Sequence, residues 1–163
     1  MIFIITISFF LEGIISNLIN ANSYLLPLFT ITSLVITYPL FNKEKKSLII
    51  ITSFIVGIMY DIAYTNSLFI NTFTFILCSL LIILLYMYIP DNLVGKTSIN
   101  LFLIVSFKFI SYLLLFIFGF INFNQHILIK GILSSLILNI IYGLLLYYIC
   151  EKITIKSKFK QYK

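Results

Sequence analysis

Three ionisable side chains, Glu12, Asp61 and Lys108, lie inside long apolar runs, away from the charged stretches of the chain. An ion costs roughly 3 kcal/mol or more at the centre of a bilayer, so such groups face a bundle interior and take partners there. Three kinds of chemistry are open to them: a contact that fixes helix packing, a pocket for a small polar substrate, or a proton relay. A relay wants a chain of titratable groups, which the sequence does not supply. Each carboxylate belongs to a patterned stripe. Ser8, Glu12, Ser16 and Asn20 recur at intervals of four, as do Ser53, Gly57, Asp61 and Thr65. A third stripe, Gly131, Ser135, Asn139 and Gly143, has no charge in it. That interval marks one face of a helix. Small and polar residues on such a face let helices approach closely and hydrogen-bond across the contact.

No catalytic set accompanies these stripes. The chain has no HExxH, no GxSxG, no phosphate-binding loop and no carboxylate pair beside a nucleophile. It therefore reads as a non-enzyme without a cofactor. A membrane enzyme of lipid metabolism would have to draw on Lys43, Glu44, Lys45, Lys46 and Asp91, which form no constellation. His126 stands alone in a polar stretch and reads as a surface or capping residue. Cys78 and Cys150 have no ligand-type neighbours and read as small buried hydrophobes, with neither metal nor disulfide.

The elements that must position these residues are membrane helices. Of 163 residues, 61% are hydrophobic and 10% charged, against about 45–50% and about 25% in soluble domains. No soluble fold of this length could bury that much Ile, Leu and Phe. A spanning helix takes roughly 20 residues, so the chain holds about six. Apolar runs place them at Ile2–Ile19, Tyr24–Phe41, Leu48–Tyr64, Leu68–Ile89, Ile99–Phe120 and Leu128–Cys150. Pro27 and Pro39 bracket the second, Thr65-Asn66-Ser67 forms a tight hairpin, and Pro90 to Ser98 is a polar connector. The expected fold is all-α: one six-helix transmembrane domain over 1–150 and a basic cytoplasmic tail over 151–163.

Charge sets the orientation. Lys43, Lys45, Lys46, Lys96, Lys152, Lys156, Lys158, Lys160 and Lys163 fall on one side if the N-terminus is inside, and Lys130 falls on the other. Cytoplasmic loops carry the excess of Lys and Arg, so both termini are expected in the cytoplasm. These lysines sit beside apolar spans, which excludes nucleic acid as the reason for the +6 charge. The tail can also hold anionic membrane lipid, at about 1 kcal/mol per lysine near the surface. At ~1.5 Å per residue, Glu12 and Lys108 both come about 15 Å deep from the cytoplasmic side, which predicts a Glu12–Lys108 contact. Asp61, roughly 20 Å along its helix, is expected to use Tyr, Asn or Thr partners near the hairpin.

The stretch from Gly57 to Asn71 resembles the MreD family of bacterial rod shape-determining proteins. The resemblance is carried by Gly57-x-x-x-Asp61, the Tyr60-Asp61 pair and Thr65-Asn66 ahead of a short hairpin. Many members have Gly at the position of Phe69. Length, span count and a short basic tail agree along the whole chain. The resemblance implies a multi-pass protein of the bacterial plasma membrane. It further implies a non-catalytic scaffold of the peptidoglycan elongation machinery, beside a bitopic MreC-type protein and other wall-elongation proteins. Tyr60, Asp61 and Asn66 would then shape a hairpin or a groove for partner helices. The alternative is the substrate-binding membrane subunit of an energy-coupling-factor-like transporter, in which Glu12, Asp61 and Lys108 would line a pocket.

Overall fold

The computed structural model describes residues 1–19, 26–41, 47–65 and 69–161, the last stretch as backbone alone beyond residue 153. Among these it contains six α-helices: α1 Ile2–Leu18, α2 Phe29–Thr37, α3 Ser47–Tyr60, α4 Ile70–Tyr88, α5 Leu93–Ile117 and α6 Gln125–Gln161. Four helical stretches are long and apolar enough to cross a membrane: Ser47–Thr65, Ile70–Tyr88, Leu93–Ile117 and Gln125–Ile153. Phe3, Phe10, Phe54, Phe73, Phe102 and Ile137 all stand exposed on the outside of the bundle. A water-facing surface rarely shows so large an apolar area; lipid requires it.

The second segment departs from the expected full span. Residues 26–28 are not helical, and α2 with the single 3₁₀ turn Tyr38–Leu40 that extends it is too short to cross. Pro27 is the local cause, because proline disfavours helix at the residue before it and offers no N–H to a preceding turn. Every residue of α2 is buried, packed among α1, α5 and α6 with a smaller contact to α4. A helix apolar all round belongs at the centre of a bundle. Its hydroxyls turn back on the backbone: Thr32 donates to Leu28, Ser33 to Thr30 and Thr37 to Ser33. Pro39 has no N–H for the Val35 carbonyl, and the Tyr86 hydroxyl donates to that carbonyl at 3.0 Å.

Two other boundaries move. Helix α5 begins at Leu93 and absorbs most of the expected Pro90 to Ser98 connector, because the Asn92 side chain caps it by accepting from Gly95 N at 2.6 Å. Helix α6 begins at Gln125, where Asn124 Oδ1 accepts from His126 N at 3.0 Å, and runs unbroken to Gln161. The basic tail is thus mostly a continuation of that helix. Among the described residues, helices α3 and α4 make the most extensive pairing. A Cβ built on Gly57 would lie 2.5 Å from Thr72 Cα, so only glycine lets these backbones approach so far.

Candidate functional site

The π-helical turn Asp61–Thr65 closes α3. Such widened turns redirect side chains and occur frequently at functional sites. Here the turn presents Asp61 to the start of α4. Oδ1 accepts from Asn71 N and Asn71 Nδ2, both at 3.0 Å. Oδ2 accepts from Thr72 N at 2.9 Å and Thr72 Oγ1 at 2.6 Å. Asn71 Nδ2 also donates to Thr65 Oγ1 at 2.9 Å, which ties the turn to the helix it caps. The need is plain from the sequence of α4: its N-cap residue is Phe69, whose side chain accepts nothing. A helix start leaves unpaired N–H groups and a partial positive charge. Asp61 answers both from the preceding helix. Phe69 itself has φ 67°, a left-handed conformation that costs a side-chain-bearing residue roughly 1–2 kcal/mol.

Glu12 repeats this arrangement at the start of α2. Its Oε2 accepts from Thr30 N at 2.9 Å and Thr30 Oγ1 at 2.6 Å, and its Oε1 accepts from Tyr60 Oη at 2.8 Å. The N-cap residue of α2 is Leu28, again without an acceptor. Asn139 of α6 completes the entry. Its Oδ1 accepts from Leu28 N at 2.8 Å, and its Nδ2 donates to Leu26 O at 3.2 Å and to Ser135 O. Leu26 N donates to Ser134 O at 3.0 Å. Glu12 and Ser134 each lie about 15 Å into their helices. Non-helical backbone at that depth is tolerated only where protein surrounds it and satisfies it. Glu12, Asn139 and Ser134 do so.

Tyr60 joins the two carboxylates. Its hydroxyl holds Glu12 while the next residue, Asp61, caps α4. Its ring lies 5.4 Å from that of Phe75 and 4.8 Å from that of Tyr64. The Tyr64 hydroxyl donates to Phe9 O at 2.8 Å, and the Tyr64 ring covers Gly13. Ser8 and Tyr142 share a 2.7 Å hydrogen bond lower on α1. Helix α1 is therefore held by Thr30, Tyr60, Tyr64 and Tyr142, one or more from each of three helices.

A family model described as rod shape-determining protein MreD matches residues 1–156. The chain belongs to the MreD family. Comparison with curated proteins and with solved structures returns no match.

In this MreD chain the expected Glu12–Lys108 contact is not made. The oxygens of Glu12 are taken by Thr30 and Tyr60, and Lys108 acts on it only as a charge at longer range. The ion pair among the described residues is Lys96–Asp91, at 2.9 Å. Equal depth did not bring Glu12 and Lys108 together because α2 packs against both α1 and α5 and stands between them. Asp61 does use Asn and Thr partners, at the start of α4. Asn66 and Asn20 lie outside the described residues. On the stripes, Ser8, Glu12, Ser53, Gly57 and Asp61 are buried, while Ser16 and Thr65 are exposed. Ser135 and Asn139 are buried, and a Cβ on Gly143 would sit 3.1 Å from Asn100 Nδ2. Gly131 differs: among the described residues nothing lies within 4 Å of a Cβ built there. Cys78 and Cys150 are both buried.

Thr30, Asn71, Thr72 and Tyr142 were not singled out by the sequence pattern. One signal was available. Thr30 follows Pro27 by three residues, and Asn71-Thr72 follows Ser67 by four and five, so each marks a helix start with no acceptor at its own N-cap.

Proposed function

We propose that this MreD chain is a non-catalytic scaffold of the peptidoglycan elongation machinery in the bacterial plasma membrane, binding an MreC-type bitopic partner. The family match over residues 1–156 carries the reading. The geometry supports it: Glu12 and Asp61, the two carboxylates within the apolar runs, are each spent on capping a helix of the chain's own bundle. In this reading six segments lie in the membrane with both termini cytoplasmic, and the second is a buried half-length helix. The Tyr60-Asp61 turn sets the shape of the α3–α4 hairpin against which a partner helix packs.

The test is Asp61→Ala in a rod-shaped host that depends on this chain. Capture of the MreC-type protein from membranes in mild detergent should fall, and cells should round. Unchanged capture together with unchanged shape would remove the Asp61 turn from the partner surface. Recovery of ATPase subunits or a stoichiometric small molecule instead would move the function to transport.

A further inference from the structure

Helix α5 carries two polar groups that the caps do not use. Lys108 is half-buried, nine residues or ~14 Å from the end of α5 at Ile117, and makes no hydrogen bond or ion pair with any described residue. Ser111 Oγ, one turn further along, is buried and has no hydrogen-bond partner. Residues three apart on a helix are neighbours, so an ammonium with three donors and a hydroxyl share one flank of α5. Glu12 offsets part of the Lys108 charge from a distance, yet it offers no acceptor, since its oxygens are filled by Thr30 and Tyr60. Donors left unmade inside a bundle are costly.

Space accompanies the donors. Asn100 Nδ2 reaches Asn139 O and Tyr112 Oη reaches Asn124 O, so α5 and α6 run antiparallel in a fixed register. That register brings Lys108 roughly level with Ile129 to Gly131. The α6 stripe is packed shut at Gly143, Asn139 and Ser135 and is open at Gly131. The opening therefore comes level with Lys108, and Ser111 stands one turn nearer the start of α6.

We infer that Lys108 and Ser111 form an anion site between α5 and the first turns of α6, which takes the oxyanion of a phosphate group. Lysine binds phosphate as a point charge, and the Ser111 hydroxyl supplies a second, directional donor. The phosphate comes either from a lipid headgroup or from a small soluble molecule. The site is independent of the scaffold reading.

The test uses the purified full chain in an uncharged maltoside detergent. A thiol-reactive dye follows thermal unfolding, because Cys78 and Cys150 are both buried. The chain is titrated separately with inorganic phosphate, with short-chain phosphatidylglycerol, and with diacylglycerol of the same chain length. A saturable rise in Tm is expected with one of the two phosphates and none with diacylglycerol. Phosphatidylglycerol alone would identify a lipid source, and inorganic phosphate a soluble one. Lys108→Met should abolish the shift, Lys108→Arg should keep it, and Ser111→Ala should weaken the apparent affinity by about tenfold. No shift with either phosphate, or an equal shift in Lys108→Met, overturns the site. Without any probe, Lys108→Met should match the parent Tm or exceed it. A drop of several degrees would make Lys108 a structural counter-ion of Glu12 and would also overturn the site.

Discussion

At Asp61 the carboxylate and the helix it caps are ten and eleven residues apart in the chain. At Glu12 the capped helix is 18 residues away, Tyr60 is 48 away, and Asn139 joins Leu28 across 111. The chemistry is the same in both places: a buried carboxylate takes an N–H and a hydroxyl from a threonine in the first turn of a helix whose own N-cap residue has no acceptor. What differs is how many other elements must already be in place. The α4 cap needs only the α3–α4 hairpin, whereas the α2 cap needs α1, α3 and α6 at once. The first is a local unit, and the second exists only in the assembled bundle.

The comparison can be broken most sharply at Asp61. Asp61→Ala removes the four hydrogen bonds to Asn71 and Thr72 and leaves two buried backbone N–H groups without a cap, so a loss of about 3–5 kcal/mol is expected. Unfolding of the purified chain in a denaturing-detergent titration reads it. A loss below about 1 kcal/mol would mean that water or a neighbour replaces the carboxylate. Asn139→Leu is the matching test of the assembled node. It strands Leu28 N–H and Leu26 O and should cost about 2–4 kcal/mol. If the α2 node needs the whole bundle, Asn139→Leu should speed proteolysis of α1 and α2 while the α3–α4 hairpin stays protected. Equal exposure of both regions would end the distinction between a local and an assembled cap.

Gly57→Ala comes next, at about 1–3 kcal/mol, because the added methyl must push Thr72 away from Asp61. Its effect should be less than additive with Asp61→Ala, since both act on one contact. Full additivity in a double-mutant cycle would uncouple the close approach from the cap. Tyr60→Phe should cost about 1 kcal/mol by removing one donor from Glu12, and it should do so only while Glu12 is present. Phe69→Gly has the opposite sign. It relieves a left-handed phenylalanine that is largely exposed, so a gain of about 1 kcal/mol is expected in the same titration. A loss would show that the ring's packing outweighs the backbone strain.

Several features were legible before the fold was known. The apolar runs forecast the ends of α1 and α4 within a residue or two, because a helix exposed to lipid must be apolar for its whole length. The glycine that many family members have at position 69 matches a φ that only the backbone reveals. Of the Tyr, Asn or Thr partners expected for Asp61 near the hairpin, it takes Asn71 and Thr72, since both follow it closely in the chain. Pro27 lies within the break at residues 26–28, yet the apolar run predicts a crossing helix over Tyr24–Phe41. Hydropathy cannot separate a lipid-exposed span from a short helix buried by its neighbours, as both are uniformly apolar.

The sequence alone determined the solvent. Its apolar content leaves the bilayer as the medium, makes helices the secondary structure, and forces Glu12, Asp61 and Lys108 to be held within the bundle. Tertiary structure decided which partner each one meets. Depth along a helix can be counted from the chain, but direction around the bundle depends on which helices lie between. With α2 packed between α1 and α5, Glu12 is satisfied by Thr30 and Tyr60, and Lys108 is left with donors to spare.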